Sequence, residues 1–175
     1  MLKEQTDKAL QAFLKYVIQQ ARTNLTKGGK NASKKLYNSL GYDYDVKDKS
    51  FSASITAEEY GEYQDKGVSG VKKKYNTPFS YTNKRPPASV FDKWVVRKGI
   101  APRNSKGQFQ TRQGLNYAIA NSVYMYGIKP SGFLSKPFEK GFERLPDEVI
   151  EAYGLDVESF LNMVIRNGKK TQNNG

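Results

Sequence analysis

Neither cysteine nor histidine occurs among the 175 residues. Their absence removes disulfides, thiolate nucleophiles, imidazole bases and almost every transition-metal site. It does not locate the protein, because a cysteine-free chain is compatible with any redox compartment. Long apolar runs are missing too, and no stretch approaches the length needed to cross a bilayer. The opening MLKEQTDKALQAF has acids early and no apolar run, so no secretory signal is expected there. Apolar residues make up only 37% of the chain, and the mean hydropathy is −0.74. Twelve Tyr and nine Phe partly compensate, since each aromatic buries a large area while Tyr keeps a polar tip. That mixture suits a protein with interfaces as well as a core. The length fits one domain with a real core and is short for two.

Acidic charge is scarce in one place. From Lys66 to Arg112 there are twelve Lys or Arg and a single acid, Asp92, a local net charge of +11. Residues 1–65 hold ten basic and nine acidic side chains, and residues 113–175 hold seven of each. The overall +12 is therefore almost entirely a property of the middle. So localised a field favours contact with something anionic, either nucleic acid or an acidic protein surface.

Leu10, Phe13, Leu14, Val17, Ile18, Ala21 and Leu25 recur at helical spacing and predict a long amphipathic helix over about 3–26, ended by Gly28 and Gly29. A short helical stretch with Ala32, Leu36, Tyr37 and Leu40 follows. The period then changes to two: Tyr42, Tyr44 and Val46 alternate with Asp43 and Asp45, and Phe51, Ala53 and Ile55 with Ser52 and Ser54. With the polar turn Lys47–Ser50 between them these read as an antiparallel hairpin. Two strands alone are marginal, and the first helix is the expected support. Gly67–Pro87 has no sustained period and reads as an extended, projecting basic arm. Ser89 is the expected cap of a helix carrying Val90, Phe91, Trp94 and Val95, with Trp94 in the core and Gly99 as the stop. A second basic connection, 101–114, precedes a helix with Leu115, Ala118, Ile119, Ser122, Val123 and Tyr126. Phe133, Leu134, Phe138, Phe142 and Leu145 follow, with breaks possible at Pro137 and Pro146, and a last helix begins after Asp156. The expectation is an α+β fold: a long N-terminal helix on a small antiparallel sheet, an extended basic arm at about 67–87 and further C-terminal helices. It forms a single domain over 1–167, with 168–175 as a disordered tail.

Catalytic groups are hard to find. Asp43 and Asp45 share the solvent side of a strand, Glu58 and Glu62 lie four apart, and Glu62 or Asp65 can pair with Lys66 or Lys72. Gly67-Val68-Ser69-Gly70-Val71-Lys72 lacks the spacing of a phosphate-binding loop. No catalytic, cofactor-binding or metal-ligating residue is expected, and no enzyme. The candidate contact residues are Lys72, Lys73, Lys74, Lys84, Arg85, Arg103, Lys106 and Arg112, joined by Arg97 and Lys98, with Tyr75, Phe79, Tyr81 and Phe109 interleaved as interface aromatics. Such a set can meet phosphates while bases stack on its rings. It can equally dock on an acidic neighbouring subunit or serve solubility. No motif for reading base sequence accompanies it.

Three segments carry a family resemblance. Lys35-Leu36-Tyr37-Asn38-Ser39-Leu40 leads into the hairpin. In Glu59-Tyr60-Gly61-Glu62-Tyr63-Gln64-Asp65-Lys66-Gly67, a tyrosine, an acid (Asp65) and a glycine (Gly67) fall in order. Ser131-Gly132-Phe133-Leu134-Ser135-Lys136-Pro137-Phe138 precedes the last helices. Together these resemble the tail-completion and head–tail joining (neck) proteins of tailed bacteriophages, over roughly residues 10–145. Residues 97–133 are similar to neck proteins with an inserted helical pair. The resemblance implies a non-enzymatic subunit of a connector or tail-terminator ring in the virion, assembled in the host cytoplasm. Its partners would be copies of itself and neighbouring neck, connector or tail proteins, with DNA passing through the centre. The alternative expectation is a sequence-nonspecific DNA-binding protein acting through 66–112.

Overall fold

A computed structural model describes the backbone of residues 2–173 and the side chains of 3–169. Helix α1 (Leu2–Lys27) is followed by α2 (Lys35–Ser39) and by strands β1 (Gly41–Val46) and β2 (Phe51–Thr56). Then come α3 (Tyr60–Lys66), a 3-10 turn (Ala88–Phe91), α4 (Asp92–Arg97) and α5 (Arg112–Tyr126). The chain continues with α6 (Ser135–Phe142), α7 (Asp147–Tyr153) and α8 (Val157–Asn173). This is an α+β fold with a long N-terminal helix, a small antiparallel sheet and several C-terminal helices. No helix among the described residues is long and apolar enough to cross a membrane.

The chain divides into two compact units, where one domain was expected. The first comprises Met1–Asn31, Lys35–Gly61 and Gly132–Gly175; the second comprises Ala32–Lys34 and Glu62–Ser131.

In the first unit the seven apolar positions read from the α1 period are all buried, and α1 packs on the hairpin as its pattern requires. A Schellman motif ends the helix: Gly29 takes a φ of 63°, the Lys30 N–H reaches the Leu25 carbonyl at 2.9 Å and the Gly29 N–H reaches Thr26 at 3.1 Å. The hairpin register pairs Tyr44 with Ala53 and Asp45 with Ser52, which leaves Asp43 and Asp45 in solvent. Phe13, Phe138 and Phe160 form the centre of the core, with ring centroids 4.9 to 5.6 Å apart, near the best separation for aromatic contacts.

The expected disordered tail is helical through Asn173. The reason is local. Asn167 Nδ2 donates to the Ala53 carbonyl at 3.1 Å, and Gly168, having no side chain, lets α8 come against the Ile55 carbonyl. Helix α8 thereby covers β2, which in a two-stranded sheet would otherwise offer an open edge. Residues 174 and 175 lie outside the described residues.

Candidate interaction surface

Helix α5 is the scaffold of the second unit. Thr111 caps it by accepting the Gly114 N–H at 3.2 Å, and Gly127, at a φ of 73°, ends it. The stretch Gly67–Pro87 has no helix or strand, but it does not project as a free arm. At the C-terminal end of α5 the N–H groups of Val71 and Lys72 bond the carbonyls of Tyr124 and Met125 at 3.0 and 2.8 Å. They satisfy acceptors that a helix end leaves open. Val68 and Ile128 exchange two backbone bonds, at 2.9 and 2.8 Å. Gly70 and Gly127 make this crossing feasible, because a Cβ on either would run into backbone of the other strand of the crossing. Ser69, fully enclosed, ties the loop. Its backbone bonds Phe79 and Tyr81, each at 2.8 Å, and its Oγ accepts the Tyr75 N–H at 2.9 Å.

From there the chain runs back along α5. The Tyr124 hydroxyl donates to the Thr82 carbonyl at 2.8 Å, and the Arg85 guanidinium lies 4.2 Å from the Tyr117 ring centre, seven residues nearer the helix start. Asp92 then accepts from Arg112 at 2.8 Å and from Asn116 at 3.0 Å. Residues 101–111 form a separate hairpin-like finger. Arg103 and Phe109 pair antiparallel, Asn104 Oδ1 accepts the N–H groups of Lys106 and Gln108 at 3.0 and 2.9 Å, and Gly107 takes a φ of 77° at the tip.

These placements sort the expected contact residues. Lys72, Lys73 and Lys74 stand exposed on one turn at the α5 C-terminus, where the helix dipole favours cations. Lys84, Arg85, Arg103, Lys106 and Arg112 are exposed as well, and Arg112 is engaged by Asp92, the only acid of the basic stretch. Of the aromatics, Phe109 is 69% exposed beneath Arg103. Phe79 is half-buried against Tyr63, with ring centroids 4.6 Å apart, and Tyr81 is half-buried against Tyr124. Burial pushes the Tyr81 phenol above its ordinary pKa, so it is a packed ring rather than a presented one. Tyr75 is half-buried too, 5.5 Å from the Lys73 ammonium.

Besides the projecting arm, two further expectations fail in this region. Ser89 does not cap a helix: the 3-10 turn starts after Pro87 with no side-chain cap. Trp94 is 41% exposed, and Val90 and Val96 are open to solvent, because only Val95 faces the interior. A helix of six residues has apolar side chains on every side here, so spacing alone cannot say which one is covered.

Among the carboxylates, Glu58 pairs with Lys35 at 2.9 Å and Glu62 with Lys66 at 3.0 Å. No group of three or more acids among the described residues is placed to hold a metal ion. Gly67, expected as the family glycine, has a φ of 75°, and a Cβ there would sit 2.6 Å from the Ile128 carbonyl. No family model matches the chain, and neither the curated proteins nor the solved structures contain a match to it.

Proposed function

We propose that the chain is a non-enzymatic structural subunit of a bacteriophage neck or tail-completion ring, joining the DNA-filled head to the tail. The observation that carries this reading is the composition of the second unit's surface. That unit holds fourteen basic against three acidic side chains and exposes Val90, Trp94, Val96, Ile100 and Phe109. Exposed apolar groups in a field of one sign belong to a surface that another macromolecule covers. The resemblance of 35–40, 59–67 and 131–138 to neck proteins supports the kind of assembly, and a virion location follows from that reading. The test is genetic. Phage lacking the chain should accumulate filled heads and separate tails, and supplying it in trans should restore joining. Joined, infectious particles formed without it would overturn the proposal.

A second reading has its own observation. In the 101–111 finger, the exposed Phe109 ring and the Arg103 guanidinium 3.9 Å from its centre offer a stacking platform beside a cation, which is what nonspecific single-strand binding uses. Retention of the full chain on single-stranded DNA, lost in Arg103→Gln with Phe109→Ala, would favour this reading over a purely protein-facing surface.

A further inference from the structure

Two surfaces of the chain are complementary, and the packing of neither unit accounts for them. On the second unit, Trp94 is 41% exposed on α4. Lys93 and Arg97 stand exposed on the same short helix, without ion-pair partners among the described residues. On the first unit, an open groove of about 280 Å³ runs between α1 and the α6–α7 connection. Ala9, Ala12 and Tyr16 line one side and Gly141, Leu145 and Pro146 the other. Small residues make the groove: a Cβ on Gly141 would come within 2.9 Å of the Phe13 ring. Arg144 lies over the Tyr16 ring at 4.4 Å and forms part of the wall.

The rim has the opposite sign to α4. Pro146 passes directly into α7, which carries Asp147, Glu148 and Glu151, and Glu143 precedes it. All four are exposed, and none has an ion-pair partner among the described residues. From Glu139 to Glu158 there are seven acids and two bases. The chain thus holds an apolar groove with an acidic rim and an exposed Trp with a basic one. The groove is at or below the small end of pockets that take drug-sized ligands, which suits one large side chain.

We infer that Trp94 of one copy seats in the α1/α6–α7 groove of a second copy, with Lys93 and Arg97 set against Glu143, Asp147 and Glu148. The inference rests on the reading of the chain as a ring subunit and names the joint of that ring. Knob and groove lie on different parts of the chain, so the contact is heterologous. Each copy donates one knob and accepts one, and the joint repeats until rotation closes it. A buried Trp carries the affinity, as aromatic anchors do at interface centres, and the charge pairs set orientation and encounter rate.

The test uses the full-length chain and its mass in solution at low ionic strength, across a concentration series. Trp94→Ala removes the knob, and Ala12→Phe, at an exposed α1 position, fills the groove. Each variant alone should associate at least about 30-fold more weakly than the parent chain. Mixed in equal amounts they should form a 1:1 dimer and nothing larger, since one intact knob meets one intact groove and both ends are then blocked. Lys93→Glu with Arg97→Glu should also weaken association, and Asp147→Lys with Glu148→Lys in the partner should restore it. Circular dichroism melts confirm that each variant is folded. A parent chain that stays monomeric throughout, variants that associate like the parent, or a mixture that stays monomeric would each overturn the joint. None of these results bears on whether phage without the chain fail to join heads to tails, so the two proposals fail separately.

Discussion

The two units use their apolar residues in opposite ways. The first encloses them: the buried cluster runs from Leu10 to Val164 and draws on α1, β2, α6 and α8, with Tyr44 and Val46 of β1 packed half-buried against it. Its charges nearly balance, with fifteen basic and fourteen acidic side chains. The second has only Val68, Val95 and Ala120 as fully buried apolar residues and exposes Trp94, Phe109, Tyr117 and Tyr126. Its order rests on backbone bonds around Ser69, Gly70 and Gly127, on the α5 caps, and on the Asp92 cluster. Hydrophobic burial is roughly proportional to the area removed from water, so the first unit carries the larger share of stability. The second is held in shape by polar contacts and leaves apolar area exposed. On the function proposed above, the first unit would be the frame and the second the surface that an assembly covers.

The sharpest way to break this comparison is to hollow out each interior in turn. Phe13→Ala removes a ring in contact with Phe138 and Phe160 and should cost about 3–5 kcal/mol by denaturant unfolding. A cost under about 0.5 kcal/mol would mean that the α1 face is not a core. Val95→Ala, at the larger of the two apolar side chains in the second unit with no exposure, should cost about 2 kcal/mol. Its effect should appear in hydrogen exchange of α4 and α5 and leave the α1 amides protected. If Val95→Ala loosened α1 as much as Phe13→Ala does, the units would not be separable in energy.

Surface charge comes next in size. Replacing Lys72, Lys73 and Lys74 with Gln should change unfolding stability by less than about 0.5 kcal/mol, since all three are exposed. Should these lysines meet phosphates, the slope of log affinity against log salt falls by about 0.9 for each duplex phosphate that is no longer neutralised. Should they meet protein, binding to free DNA is unaffected and particle assembly declines. An unchanged particle yield together with an unchanged salt response would leave solubility as their role.

How much of this was legible in the sequence follows the same line between the units. The α1 face, the hairpin and its polar turn, the stop at Gly99 and the start of α8 at Asp156 are written in local periods and caps, and local signals survive folding. The second unit is built from crossings between residues about sixty positions apart, such as Val68 with Ile128. There the decisive residues are glycines and a serine, and no periodicity marks them. Gly168 shows the same limit in the first unit. It heads the stretch expected to be disordered, yet it lies inside α8, where β2 occupies the place its side chain would take. The candidate site was legible as charge, which composition preserves. It was not legible as shape, since exposure of Trp94 depends on which side of a six-residue helix the rest of the unit covers.

The smallest expected effect concerns pH and is confined to the first unit. Asp156 Oδ1 accepts the N–H groups of Glu158 and Ser159 at 3.1 and 3.0 Å at the start of α8. The bond from the Ser159 backbone, with lesser help from the Ser159 hydroxyl and the Glu158 N–H, holds the carboxyl below its usual pKa. The charged form is also favoured by the positive end of the helix. A carboxyl whose folded pKa is depressed stabilises fully above its unfolded value, about 3.9, and loses that contribution as pH falls through the folded value. Helix α8 should therefore begin to fray below about pH 4, seen as faster exchange at the Glu158 and Ser159 amides, while α5, capped by the non-titrating Thr111, shows no such change from its own cap. Asp156→Asn keeps an acceptor at the cap and should flatten that acid response with little loss at neutral pH, because Asn caps nearly as well as Asp. Asp156→Ala should fray the helix start at every pH. The effect is small because the carboxyl is open to solvent, where water screens its charge. If Asp156→Asn kept the full acid response at those two amides, the cap would not be the titrating element.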